Sequence, residues 1–259
     1  MEALEVIARM EAMRNDAQRE VLMNFFKTGP GEYADGDQFL GLRVPQTRAV
    51  ARDARDLPLD EVVTLLGSEW HEVRLCGLLI MVDAFERLSR SRLVLDPDAI
   101  KRRDEILTMY LEHAECANNW DLVDLSAPKI LGGWLLLPTA LPDGTVDMNT
   151  AYKLRVLDSL ADSDNLWRQR MSVVCTWKTT QQGDPSYCLR YAERHLSHPH
   201  DLMHKAVGWM LREMGKRAGM ELLRQFLERH LHEMSRTTLR YAIEKMTPAE
   251  RRQWLTAPH

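Results

Sequence analysis

The stretch NLWRQRMSVVCTW, residues 165–177, spaces its apolar side chains three and four apart, the pattern of one helical face. Within it, Arg170 stands directly ahead of the small and apolar run Met171-Ser172-Val173. The arrangement returns further on. Lys205 precedes Ala206-Val207-Gly208 and Arg240 precedes Tyr241-Ala242-Ile243, so a basic residue recurs at 170, 205 and 240, an even spacing of 35. Another amphipathic stretch precedes each of these helices. A recurring helix pair of this length is the mark of a stacked solenoid of HEAT-like repeats, in which equivalent positions line up along one surface, usually the concave one.

The rest of the chain agrees. MEALEVIARMEAMRNDAQREVLMNFF, LDEVVTLLG, EVRLCGLLIMVDAFERL, DAIKRRDEILTMYLEHA and MNTAYKLRVLDSLA show the same helical spacing, as do SYCLRYAERHL, DLMHKAVGWMLREMGKR, ELLRQFLERHL and TTLRYAIEKM. Strand-like alternation is nearly absent. Breakers separate the helical stretches: TGPGEYADGD at 28–37, LDPD at 95–98, LPDGT at 141–145, QGDP at 182–185 and SHPH at 197–200. The expected fold is all-α, a curved solenoid of antiparallel helix pairs with a basic concave face, forming a single domain over residues 1–259.

Composition narrows the function classes. With 45% apolar and 28% charged residues, the 259-residue chain has an ordinary soluble balance and enough length to bury a sizeable core. The longest apolar run, around Leu75–Val82, is far short of the roughly 20 residues of a membrane span. The acidic, amphipathic N-terminus reads as neither a signal nor a transit peptide, so a cytoplasmic location is expected. Cys76, Cys116, Cys175 and Cys188 lie far apart with no CxxC pair and read as buried thiols. No metal or other cofactor is expected: HExxH, a Gly-rich phosphate loop and GxSxG are missing, and His198 and His200 of SHPHD read as a loop and a helix start. The formal charge of −4 conceals an asymmetry, because residues 201–259 hold 11 Lys and Arg against 7 Asp and Glu. An acidic total argues weakly against nucleic acid, but phosphate contacts act locally and one basic face suffices.

Two earlier positions fit the repeat. Arg74 precedes Leu75-Cys76-Gly77 and Asp124 precedes Leu125-Ser126-Ala127, so the row reads Arg74, Asp124, Arg170, Lys205, Arg240. Two readings of this row stand side by side. These are ordinary solvated helix charges that happen to align, or the row is a groove for a polyanion with one carboxylate facing the ligand. Aromatics lean toward the second. Trp120 lies one turn before Asp124, Trp209 one turn after Lys205, and Trp167 three residues before Arg170. Indole faces attract sugars and cations by about 0.5–2 kcal/mol.

The segments FLGLRVPQTR (39–48), NNWDLVDLSAPKILG (118–132), SDNLWRQR (163–170) and HKAVGWMLRE (204–213) resemble, in the same order, those of the AlkD-type alkylpurine DNA glycosylases, also called DNA alkylation repair proteins. The resemblance implies HEAT-like repeats gripping duplex DNA and excision of cationic purines alkylated at N3 or N7, by a monomer with no cofactor and no membrane. It implies Trp120 and Asp124 as the aromatic and the catalytic carboxylate, Trp209 as the second aromatic at the lesion, Arg170 as a DNA-contacting arginine and Arg212 as a phosphate contact. Lys205, Arg240 and Arg74 complete the expected DNA-binding set.

The chemistry is consistent with a lone carboxylate. Cleaving an N-glycosidic bond develops an oxocarbenium-like sugar, and a purine that already carries positive charge leaves neutral, without a general acid. A unit charge pair at about 4 Å and an effective dielectric near 20 is worth roughly 4 kcal/mol, on the order of a thousandfold in rate. The resemblance further implies that the tryptophans hold the lesion without a deep pocket. Two departures stand out: Asn119 occupies a position where the best-known members have another tryptophan, and the loop 27–38 is longer than theirs, leaving Tyr33 as a candidate N-terminal aromatic contact. The alternative function is a non-catalytic repeat protein that binds branched or damaged DNA, or an acidic protein partner.

Overall fold

The computed structural model describes residues 1–140 and 146–257. The breaker LPDGT at 141–145 lies outside the described residues. As expected, the protein is all-helical. The one strand pair among the described residues is a two-residue antiparallel ladder, Thr139–Ala140 against Val146–Asp147. The chain divides into two compact units, Met1–Ser126 with Pro138–Asp147, and Ala127–Leu137 with Met148–His259.

The first unit holds α1 (Ala3–Glu11), α2 (Asp16–Phe26), α3 (Val44–Asp53), α4 (Leu59–Leu66), α5 (His71–Leu88), α6 (Pro97–Glu112) and α7 (Trp120–Ser126). The periodic stretch at the N-terminus is thus cut in two. Asn15 stops it: its side-chain oxygen accepts the Gln18 amide at 3.0 Å, capping α2, while its own amide donates to the Leu40 carbonyl at 3.0 Å. That contact brings residue 41 so near α2 that only glycine fits. Gly41 has φ +87°, and a Cβ there would lie 2.1 Å from the Asn15 carbonyl oxygen. Helix α5 is the centre of the unit, packed against α3, α4, α6 and α7, and every residue from His71 to Val82 is buried. This placement accounts for the long apolar run around Leu75–Val82. Helix α6 opens with Pro97 behind the Asp96 cap, and its buried Arg103 donates to the carbonyls of Leu88, Leu93 and Val94.

The second unit holds α8 (Leu131–Leu135), α9 (Thr150–Ala161), α10 (Leu166–Val174), α11 (Thr176–Gln181), α12 (Ser186–Arg194), α13 (Asp201–Arg217), α14 (Met220–His230), α15 (Arg236–Ala242) and α16 (Pro248–Thr256). The three helices that carry the recurring cations are neighbours: α13 packs against α10 on one side and α15 on the other. Their approach is close at Gly208, where a Cβ would lie 2.5 Å from the Thr238 carbonyl oxygen. Side-chain caps start many of these helices, including Asn165 on α10, His200 on α13 and Ser235 on α15. His200 is therefore the helix start that SHPHD suggested. All four cysteines are free thiols, and Cys76, Cys175 and Cys188 are buried. Among the described residues no helix is long and apolar enough to cross a membrane, and no group of three or more His, Cys, Asp and Glu is placed to hold a metal ion.

Candidate functional site

Helix α7 is short and two-faced. Leu122, Val123 and Ser126 are buried, and the Ser126 hydroxyl binds both the Leu122 carbonyl at 2.6 Å and the Tyr110 hydroxyl at 2.7 Å, fastening α7 to α6. Trp120, Asp121 and Asp124 occupy the half-buried side. The fully buried Asn119 precedes them and accepts the Trp120 amide on its side-chain oxygen at 2.8 Å, so this asparagine serves the helix end.

Trp120 rests on an aromatic cluster. Its indole stacks on Phe26 with centroids 5.4 Å apart and an interplanar angle of 28°. Phe26 in turn meets Phe39 at 5.2 Å and the ring of His71 at 5.0 Å. Phe25, 61% exposed, abuts the Trp120 ring edge-on at 6.0 Å. From the loop between α2 and α3, the Tyr33 hydroxyl oxygen accepts the indole N–H of Trp120 at 3.3 Å. Tyr33, only a candidate from sequence, is therefore beside Trp120.

Beneath this cluster lies a buried charge network. The His71 ring donates from Nδ1 to Asp37 at 2.9 Å and from Nε2 to Asp121 at 3.0 Å. Burial disfavours the cationic ring, but the charges and hydrogen bonds of Asp121 and Asp37 outweigh it and raise its pKa to about 9. Burial would likewise push the Asp37 carboxyl up, yet His71 and Arg74 hold it below the usual carboxylate range. Arg74 closes the network, binding Asp37 at 2.5 Å and the carbonyls of Ser68 and Glu69 at 2.8 and 2.9 Å. Between His71 and Arg74 on α5, Glu72 accepts the amides of Leu40, Gly41 and Leu42 at 2.8–3.0 Å.

In the second unit the predicted cations differ in availability. Arg170 is 4% exposed, and its guanidinium donates to the Leu202 carbonyl at 2.5 Å, joining α10 to the start of α13. Lys205 is half-buried and pairs with Asp201 at 2.8 Å. Arg212 pairs with Glu244 and lies 3.4 Å from Glu213. Arg240 is exposed on α15. Trp209 is half-buried on α13, whereas Trp167 belongs to the core.

The half-buried side of α7, with Trp120, Asp121 and Asp124, is formed by the segment WDLVD of an all-helical chain. The family model described as DNA alkylation repair enzyme matches residues 6–246, nearly the whole chain. The chain belongs to the DNA alkylation repair enzyme family. Among solved structures, a predicted DNA alkylation repair enzyme from Enterococcus faecalis has the same fold, with a TM-score of 0.60 at 14% identity over 91% of this chain and 97% of that one. No curated protein matches the sequence.

Membership in the DNA alkylation repair family leaves the sites to be read residue by residue. Trp120, Asp121 and Asp124 share a side of α7, while Arg170, Lys205 and Arg240 lie on three adjacent helices of the second unit. Arg74 departs from the expected groove row. It is 5% exposed and its guanidinium is committed to Asp37 and two backbone carbonyls, because the 28–38 loop folds over it. His71, Asp37 and Phe26 escaped the sequence reading altogether. The available signal was local: the HEVR tetrad puts a histidine, an acid and a base within one turn at the start of the most apolar helix, where charges need partners.

Proposed function

We propose that this DNA alkylation repair family member is an AlkD-type DNA glycosylase that hydrolyses the N-glycosidic bond of cationic N3- or N7-alkylated purines in duplex DNA. The observation that carries the reading is the pairing on α7. Trp120 is half-exposed and held from behind by Phe26 and from the side by Tyr33, and Asp124 sits one helical turn further along. In the mechanism, Trp120 lies against the alkylated nucleotide and its π-face attracts the cationic purine. Asp124 faces the deoxyribose and stabilises the oxocarbenium-like charge that grows as the base departs. The leaving purine takes the bonding electron pair and becomes neutral. Water then completes the sugar, losing a proton to solvent or to Asp124.

Trp209 and Arg212, both on α13, are assigned as the second aromatic and a phosphate contact from the motif match. Among the expected phosphate contacts of the second unit, Arg240 is exposed and Lys205 is half-buried beside Asp201, whereas Arg170 would act from a buried seat. Arg74 is left out of the DNA-contacting set.

The test is release of free base from methylated duplex DNA by the wild type and by Asp124→Asn. Release that the asparagine variant largely loses, with DNA binding kept, supports the assignment. Equal release by both proteins rejects the role of Asp124. Tight, salt-sensitive binding with no base released by either would replace the enzyme by a non-catalytic binder of branched or damaged DNA.

A further inference from the structure

The 28–38 loop reaches α7 at two separate places. Tyr33 accepts the Trp120 indole N–H, and Asp37 reaches Asp121 through the His71 ring. We propose that His71 is a positioning residue: its doubly bonded imidazolium clamps this loop to the first turn of α7 and so fixes the face that Trp120 presents. This rests on the reading of Trp120 as the lesion contact.

The argument is one of donors. A neutral imidazole has a single N–H, so it serves one of two carboxylates and turns a lone pair toward the other. Both aspartates lie within 3.0 Å of the ring, and His71 is 2% exposed, so no water replaces the missing donor readily. Asp37 retains its bond to Arg74 whatever the state of the ring. Asp121 is the partner at the open end, with its side chain 18% exposed, so loss of the proton releases the α7 side of the clamp.

Asp37 faces His71 from the loop and Asp121 from α7, while Phe26 of α2 and Phe39 lay aromatic rings against it. On α5 itself, Arg74 joins the network through Asp37, and Glu72 is turned to the amides of residues 40–42. Burial raises the thiol pKa of Cys116, before α7, above the ordinary value, against the opposing pull of Arg74.

The experiment follows Trp120 emission and its quenching by acrylamide in the full chain from pH 7 to 10, isolated by subtracting Trp120→Phe. The wild type is expected to show a single transition near pH 9, with quenching rising severalfold. His71→Gln should lack the transition and already show the high-pH quenching at pH 7. Asp121→Asn should move the midpoint down by at least one pH unit. Tyr33→Phe controls for phenol ionisation and should retain the transition. A flat wild-type signal, an unchanged transition in His71→Gln, or a transition that vanishes with Tyr33→Phe overturns the proposal. Should His71→Gln fail to fold by circular dichroism, the Asp121→Asn midpoint decides, and an unshifted one is fatal.

Base release on the same samples separates this inference from the glycosylase reading. A wild type that shows the transition but releases no base keeps the clamp and rejects the enzyme. If base is released, kcat should fall across the same midpoint with KM little changed, and His71→Gln should lose about tenfold in kcat. Unaltered kcat in that variant overturns the positioning role.

Discussion

The indole N–H of Trp120 donates to the phenol oxygen of Tyr33 at 3.3 Å, across 87 positions of chain. It is the direct polar tie between the 28–38 loop and the half-exposed aromatic of α7. Tyr33→Phe keeps the ring and removes the acceptor. A neutral hydrogen bond of this kind contributes roughly 0.5–1.5 kcal/mol. Denaturant titration should show a loss of that size.

Stability should fall on the alkaline side. The folded pKa of His71 is raised from the ordinary 6.5 to about 9, so its contribution is complete below about pH 6.5 and disappears as pH climbs through 9. At about 1.4 kcal/mol per pKa unit, the effect is on the order of 3 kcal/mol. Asp37 acts at the other end. Its lowered carboxyl stabilises above the normal carboxylate range, and that support vanishes as pH drops through the depressed value. Thermal unfolding between pH 6 and 10 should show a descending limb in the wild type that His71→Gln lacks. A limb of the same size in both proteins would remove His71 as its source.

Arg170 and Arg240 should behave differently. Arg170→Ala deletes a buried guanidinium bonded to the Leu202 carbonyl, which should cost about 2 kcal/mol of stability. Arg240→Ala removes an exposed charge and should leave the melting temperature within a degree or two. If Arg240 meets a phosphate, its loss lowers the salt slope of duplex binding by about one. An unaltered slope would exclude that contact.

Asp124→Asn should slow base release by about a thousandfold, the worth of a charge pair near 4 Å at an effective dielectric of about 20. Single-turnover release from methylated duplex measures it directly. A loss under tenfold would mean that another group stabilises the sugar cation.

Gly41→Ala is expected to destabilise by at least about 2 kcal/mol, because the left-handed backbone is strained for alanine and the new methyl strikes the Asn15 carbonyl. Gly31→Ala, also at positive φ but with open space around it, should cost about 1 kcal/mol. Equal losses would show that backbone conformation alone sets the cost at residue 41.

The helices were legible because their apolar spacing is written within ten to twenty residues, and the packing of α10, α13 and α15 matches the recurring cations at 170, 205 and 240. That Trp120 and Asp124 share a side of α7 was legible for the same reason, both lying within one turn. The clamp was not. His71 finds its partners 34 and 50 residues away, in a loop and a short helix that no local period connects. Arg74 illustrates the opposite error: its repeat position marks it as a groove cation, and nothing nearby announces that Asp37 will close over it. Arg103 and Lys153 are similar, buried cations satisfied by backbone carbonyls that only the fold assembles.

His71, Glu72 and Arg74 belong to a single turn of α5, and between them they engage Asp37 and the amides of residues 40–42. That turn is a mould, and the segment from 37 to 42 is its casting, its shape held by bonds to the helix. Residues 29–32 bond instead within the loop, through the Gly29 amide to Glu32, the Glu32 amide back to the Gly29 carbonyl, and the Gly31 amide to Asp35. Lengthening the chain at its outer tip should therefore leave the casting intact, whereas one residue inserted between Asp37 and Leu42 would throw every bond out of step.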